Sequence, residues 1–131
     1  MEEDMNWKRV VGYGFALWLV PFVSAFLLFS VRQSNRALFE SLITVIGVAC
    51  AVMASLLYFR DAANTGLAIG LAVGFAWAAI SIGIDLPIFL KLFQMPLPVY
   101  AADIALTYLA FPLITIGIAL ARRAGQKAAG T

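Results

Sequence analysis

Four long apolar stretches, each fenced by charged or turn-forming residues, decide what this chain can fold into. They run from Val10 to Val31, Leu38 to Phe59, Gly66 to Phe89 and Val99 to Ala121. Each reaches the roughly 20 residues that a hydrocarbon layer about 30 Å thick demands of an α-helix. The run Arg32-Gln33-Ser34-Asn35-Arg36 closes the first, Arg60-Asp61 and Asn64-Thr65 the second, Lys91 with Pro96 and Pro98 the third, and Arg122-Arg123 the fourth. The stretches are too long for membrane β-strands and lack two-residue alternation. A helix satisfies its own backbone in lipid, where water cannot. The expected fold is therefore an all-α integral membrane protein, a compact four-transmembrane-helix bundle in which residues 1–131 form a single domain.

Composition agrees. Of 131 residues, 63% are hydrophobic and 12% charged, too little polar material to cover a soluble domain with so high a ratio of surface to volume. The net charge of +2 is spread over chain ends and turns, so no basic stripe for nucleic acid forms. Cys50 stands alone, which rules out an intrachain disulfide. Histidine is absent, and with it the commonest metal ligand and the usual partner of a catalytic serine or thiolate. No phosphate loop, nucleophile motif or metal-ligand spacing is present, so the expectation is a non-enzymatic protein without cofactor or metal. The first stretch reads as a true span. Glu2, Glu3 and Asp4 make a poor positive leader, and the stretch outruns a signal core of roughly 7–15 residues.

Cations set the expected orientation. Lys8, Arg9, Arg60, Arg122, Arg123 and Lys127 fall at one end of the bundle, and Arg32, Arg36 and Lys91 at the other. The positive-inside bias places the first group, and both termini, in the cytoplasm of a multi-pass cell (inner) membrane protein. Trp7 and Tyr58 would then lie at the cytoplasmic interface and Tyr100 at the outer one. Residues 124–131 read as a short frayed tail.

Small residues mark the packing faces. Gly66, Gly70 and Gly74 recur at four-residue steps on the third helix, in line with Ala78, Ser81 and Asp85, and let another backbone approach closely. Packing within the monomer is the first expectation and a dimer interface the alternative. Similar stripes comprise Glu40, Thr44, Gly47, Ala51, Ser55 and Tyr58 on the second helix. The fourth offers Asp103, Thr107, Ala110, Ile114, Gly117 and Ala121, and the first Gly14, Trp18, Pro21, Ala25, Leu28 and Arg32. Pro21, Pro87 and Pro112 each remove a helical hydrogen bond and free the carbonyls of Leu17, Gly83 and Tyr108.

Chemistry concentrates at the outer ends. Asp85 and Asp103 are the carboxylates set deepest in the spans, each about four residues, or roughly 6 Å, inside the outer boundary. An acid in a span is costly unless it is paired or hydrated, which makes it a candidate site. Three readings follow: pairing with Arg32, Arg36 or Lys91; a water-accessible vestibule for a cationic or hydrogen-bonding ligand; or two carboxyls sharing a proton. Tyr100, Tyr108, Thr107 and Ser81 could supply hydroxyls, and the indoles of Trp18 and Trp77 need partners near mid-depth.

In size and span count the chain resembles the small multidrug resistance transporters. That family relies on a glutamate in the middle of its first helix, and Val10 to Val31 contains no acid, so its proton-coupled export is not carried over. The expected function is binding or passage of a small ligand or lipid at an outer-leaflet polar site formed by Asp85, Asp103, Tyr100, Thr107, Arg32 and Arg36. The alternative is a structural or assembly subunit that self-associates or docks a partner membrane protein through its glycine-rich third helix. Membrane lipids are partners in either case.

Overall fold

A computed structural model describes residues 6–60 and 65–130, the side chains of residues 103 and 130 excepted. Four helical spans are present, each long and apolar enough to cross a membrane, and no strand occurs among the described residues. The first span is α1 (Trp7–Leu27), continued after a one-residue break by α2 (Phe29–Ser34), and the second is α3 (Arg36–Arg60). The third is α4 (Leu67–Asp85), prolonged by a π-helical segment, Leu86–Leu92. The fourth comprises α5 (Leu97–Asp103), a 3-10 segment (Ala105–Leu109) and α6 (Ala110–Gly130).

Local chemistry explains the boundaries. The Asn6 side chain accepts from the Arg9 backbone N–H at 3.3 Å, and Asn35 does the same for Leu38 at 3.1 Å; each satisfies a donor left orphaned at a helix start. Pro87 cannot bond the Gly83 carbonyl. Just beyond it, from Leu86 to Leu92, the helix winds in the wider π register, where each N–H reaches five residues back. The register closes with Phe93 N–H on the Ile88 carbonyl at 3.0 Å. Helix α6 runs on through Gly130, so residues 124–130 of the segment expected to fray are helical.

In the bundle, α1 packs on α3 and α4, and α6 packs on the same two helices. The first and fourth spans thus face each other across a diagonal. The closest approach is between α4 and α6. A Cβ added at Gly74 would collide with the Pro112 backbone and the Thr115 hydroxyl, and one at Gly70 would stand 3.0 Å from the Ile116 Cα. Thr115 completes the seam by donating to the Gly70 carbonyl at 2.7 Å. The glycine stripe is therefore spent within the monomer, with Gly66 as the N-cap of α4. Helix α6 occupies the groove at Gly70 and Gly74, the face on which the alternative of docking a partner or second copy rests.

The apolar core is built from Val10, Leu17, Ala51, Tyr58, Phe59, Ile69, Val73, Trp77, Phe111 and Ala119. It occupies the middle of the bundle and the end that carries Arg9, Arg60 and Arg122. Tyr58 lies inside this core, and Tyr100 is buried as well, so neither forms the expected interfacial belt; Trp7 alone of the three is exposed. At the opposite end of α3, Glu40 and Thr44 are exposed, and the expected second-helix stripe is buried only from Ala51 onward. The third-helix stripe is buried throughout, whereas the first-helix stripe is buried at Gly14 and Trp18 and half-buried from Pro21 to Arg32.

The fourth-span stripe is displaced. Phe111, Pro112, Thr115 and Ala119 are buried, whereas Thr107, Gly117 and Ala121 are exposed. The 3-10 segment is the cause. It winds at about 3.0 residues per turn rather than 3.6, so residues beyond it are rotated away from a continuous α-helical register.

Candidate functional site

The end of the bundle opposite the apolar core is organised by one carboxyl group. Asp85, at the last position of α4, is 1% exposed. Trp18 in α1 donates its indole N–H to Oδ1 at 2.6 Å. Tyr100 in α5 donates its hydroxyl to Oδ2 at 2.9 Å, and Tyr108 in the 3-10 segment donates to the same oxygen. Three of the four spans thus converge on one side chain. Among the described residues no cation lies within ion-pair distance of it, and all three donors are neutral.

Each element delivers its donor for a local reason. Trp18 lies one turn beyond Gly14, where α1 presses on the Trp77 and Ile80 side chains of α4, so the indole arrives beside α4. Pro98 in the first turn of α5 fixes a helix start that needs no N–H there. The overwound Ala105–Leu109 segment then brings Tyr108, rather than Thr107, round to the bundle interior.

Aromatic rings close a circuit around the acid. Trp18 stacks on Phe22 at 4.6 Å between centroids, Phe22 meets Phe89 edge-on at 6.4 Å, and Phe89 lies 5.8 Å from Tyr100. Both ends of this four-ring chain bond Asp85. The π-helical segment carries Phe89, so an irregular stretch of helical backbone adjoins the acid. Ser81, one turn back on α4, is fully buried and its hydroxyl finds no partner.

The other sequence-derived site residues are scattered. Arg36 forms an ion pair with Glu40 at 2.9 Å, with both side chains more than half exposed, and Arg32 stacks over the Phe39 ring at 5.9 Å. Lys91 is exposed. The expected pairing of Asp85 with Arg32, Arg36 or Lys91 is therefore corrected. Burying a guanidinium beside the acid would desolvate a second charge, whereas neutral donors satisfy the carboxyl and leave the cations in water. Thr107 is exposed and bonds back to the Ile104 carbonyl at 2.6 Å, as hydroxyls in membrane helices often do. Asp103 ends α5, and its side chain lies outside the described residues. Of the hydroxyls expected in this region, those of Tyr100 and Tyr108 join Asp85, and of the residues chosen for the site itself only Tyr100 does.

Trp18 and Tyr108 are the partners that site selection from the sequence missed. The signals were an indole and a phenol at the depth of a lone acid, each needing an acceptor in lipid. Two hollows lie on the flanks of the bundle, one bounded by Arg36, Pro98, Val99 and Ala102 and one by Leu56, Ile118 and Arg122 among others. Neither reaches Asp85. Comparisons with models of known protein families, with characterised proteins and with solved structures bring no match.

Proposed function

We propose that this multi-pass membrane protein binds a small ligand with a cationic head at Asp85, and that the arrangement described above is its closed, ligand-free state. The observation that carries the reading is a buried carboxyl held by three neutral donors with no countercharge among the described residues. A carboxyl in a span invites a positive partner, and here that position is left to a ligand. The ring circuit of Trp18, Phe22, Phe89 and Tyr100 supports an organic cation in particular, because aromatic faces attract such groups by their quadrupole. The π-helical Leu86–Leu92 segment supplies backbone slack beside the acid, a common place for such segments. Entry would exchange the Trp18 and tyrosine hydrogen bonds for contacts with the cation. With the Arg9–Arg60–Arg122 end on the cytoplasmic side of the cell membrane, the site lies in the outer leaflet. The role is binding or passage, without catalysis.

The test is a titration of the detergent-solubilised protein with tetraphenylphosphonium, followed by tryptophan fluorescence, with neutral triphenylphosphine oxide as control. Saturable binding of the cation alone is expected, weakened about tenfold or more in Asp85→Asn, the loss of one charge-assisted contact of ~1.4 kcal/mol. Unsaturable partitioning, or equal affinity in Asp85→Asn, would refute it. The filled centre favours a second reading, in which Asp85 is a latch that ties spans together and meets no ligand. On that reading the substitution lowers stability and leaves cation partitioning unchanged.

A further inference from the structure

At the opposite end of the molecule, the hollow of about 390 Å³ between α3 and α6 combines two chemistries. Leu56, Ile118 and Ala121 form an apolar trough on the lipid-facing flank, while Arg122 and Gln126 stand at its polar end, with Gly125 keeping it wide. Arg122 is partly buried. One Nη donates to the Arg60 carbonyl at 3.0 Å, which pins the guanidinium against the C-terminal end of α3. Its Nε is buried without an acceptor. A planar fork of donors held in place with most of its capacity unused fits a tetrahedral anion. The trough beneath is lined by groups that need an acyl chain rather than water.

We infer that this groove binds an anionic phospholipid, its phosphate on Arg122 and one acyl chain along Leu56, Ile118 and Ala121. The occupant is a lipid because the groove opens on the flank of a membrane bundle, where lipid is the solvent. It is anionic because the polar end carries a fixed cation whose other Nη is not buried and has no partner among the described residues. This inference is independent of Asp85, which lies at the other end.

Native mass spectrometry of the purified chain, exchanged into dioleoyl phosphatidylglycerol or dioleoyl phosphatidylcholine, tests it. Preferential retention of phosphatidylglycerol is expected, reduced about fivefold in Arg122→Gln, the worth of one basic residue at an anionic surface. Gly125→Leu should do the same by filling the trough. A Cβ at Gly125 meets nothing, so this variant carries the test if Arg122→Gln fails to fold. Arg123→Gln, exposed and outside the groove, should leave retention unchanged. Equal retention of the two lipids, or a preference that survives Gly125→Leu, would overturn the inference. So would full displacement of the lipid by millimolar inorganic phosphate, which would mark a site for soluble anions.

Discussion

Trp18 and Asp85, 67 residues apart in sequence, meet at 2.6 Å and fasten the first span to the third. The contact replaces hydrophobic packing at an end of the bundle that the apolar core does not reach. In lipid, apolar contact between helices gains little over contact with acyl chains, so packing and polar bonds must hold the spans. The acid thus holds the helices in place whatever else it binds.

Removing the acceptor should cost more than changing its charge. Asp85→Leu orphans three donors, at about 1–3 kcal/mol for each buried unsatisfied group. Asp85→Asn keeps one carbonyl acceptor, and the tyrosine hydroxyls can turn to accept from its amide; a loss of about 1 kcal/mol is expected. Thermal unfolding in a single detergent should rank wild type above Asp85→Asn and Asp85→Leu last. Equal stability of the two variants would show that the three donors find other acceptors.

Tyr100 and Tyr108 share one carboxyl oxygen, so their effects should not add. Tyr100→Phe or Tyr108→Phe alone leaves Oδ2 with one donor and should cost about 0.5–1.5 kcal/mol. The double variant strips that oxygen in a dry site and should lose more than the sum, with a coupling of about 0.5 kcal/mol or more. A double-mutant cycle on unfolding free energies measures this directly, and strict additivity would mean that the two hydroxyls act on Asp85 independently.

Span number, span limits and the place of Asp85 inside the third span were legible because they depend on local composition: apolar length, flanking charge, an acid in an apolar run. Partners were harder. Opposite charges suggested Arg32, Arg36 and Lys91 for Asp85, since charge is visible in a sequence and desolvation cost is not. The choice of Thr107 over Tyr108 failed for a geometric reason, because a continuous 3.6-residue register was assumed through Asp103 to Ala110. The 3-10 segment breaks it, and Pro112 was the one hint of irregularity nearby. The limited burial of the outer half of α3 left no mark in its stripe, which continues unbroken from Ala51 back to Glu40.

The Arg36–Glu40 pair allows a contrasting expectation. Both side chains are more than half exposed and one helical turn apart, the setting in which ion pairs contribute at most about 0.5 kcal/mol. Glu40→Gln should leave the unfolding temperature nearly unchanged. A large loss would instead give the pair a part in closing the bundle, contrary to its exposure.

Glycine substitutions separate packing from propensity. Gly74→Ala would drive a methyl group into the backbone of α6 at Pro112, with the Pro112 nitrogen only 2.7 Å from the new carbon. A proline backbone cannot move aside as a side-chain tip can, so the helices must separate. That should cost about 1–3 kcal/mol or more, the range for overpacked cores. At Gly14 the nearest obstacle is the end of the Ile80 side chain, at 2.8 Å, and a rotamer change should keep the loss of Gly14→Ala smaller. Gly117→Ala meets nothing, and because alanine favours helix over glycine by about 0.8–1.0 kcal/mol in an exposed interior, it should be neutral or stabilising. Unfolding measurements on the three variants should therefore rank Gly117→Ala highest and Gly74→Ala lowest. If Gly74→Ala were as stable as Gly117→Ala, α4 and α6 could not be packed as closely as described, and the glycine stripe would again be free for a partner.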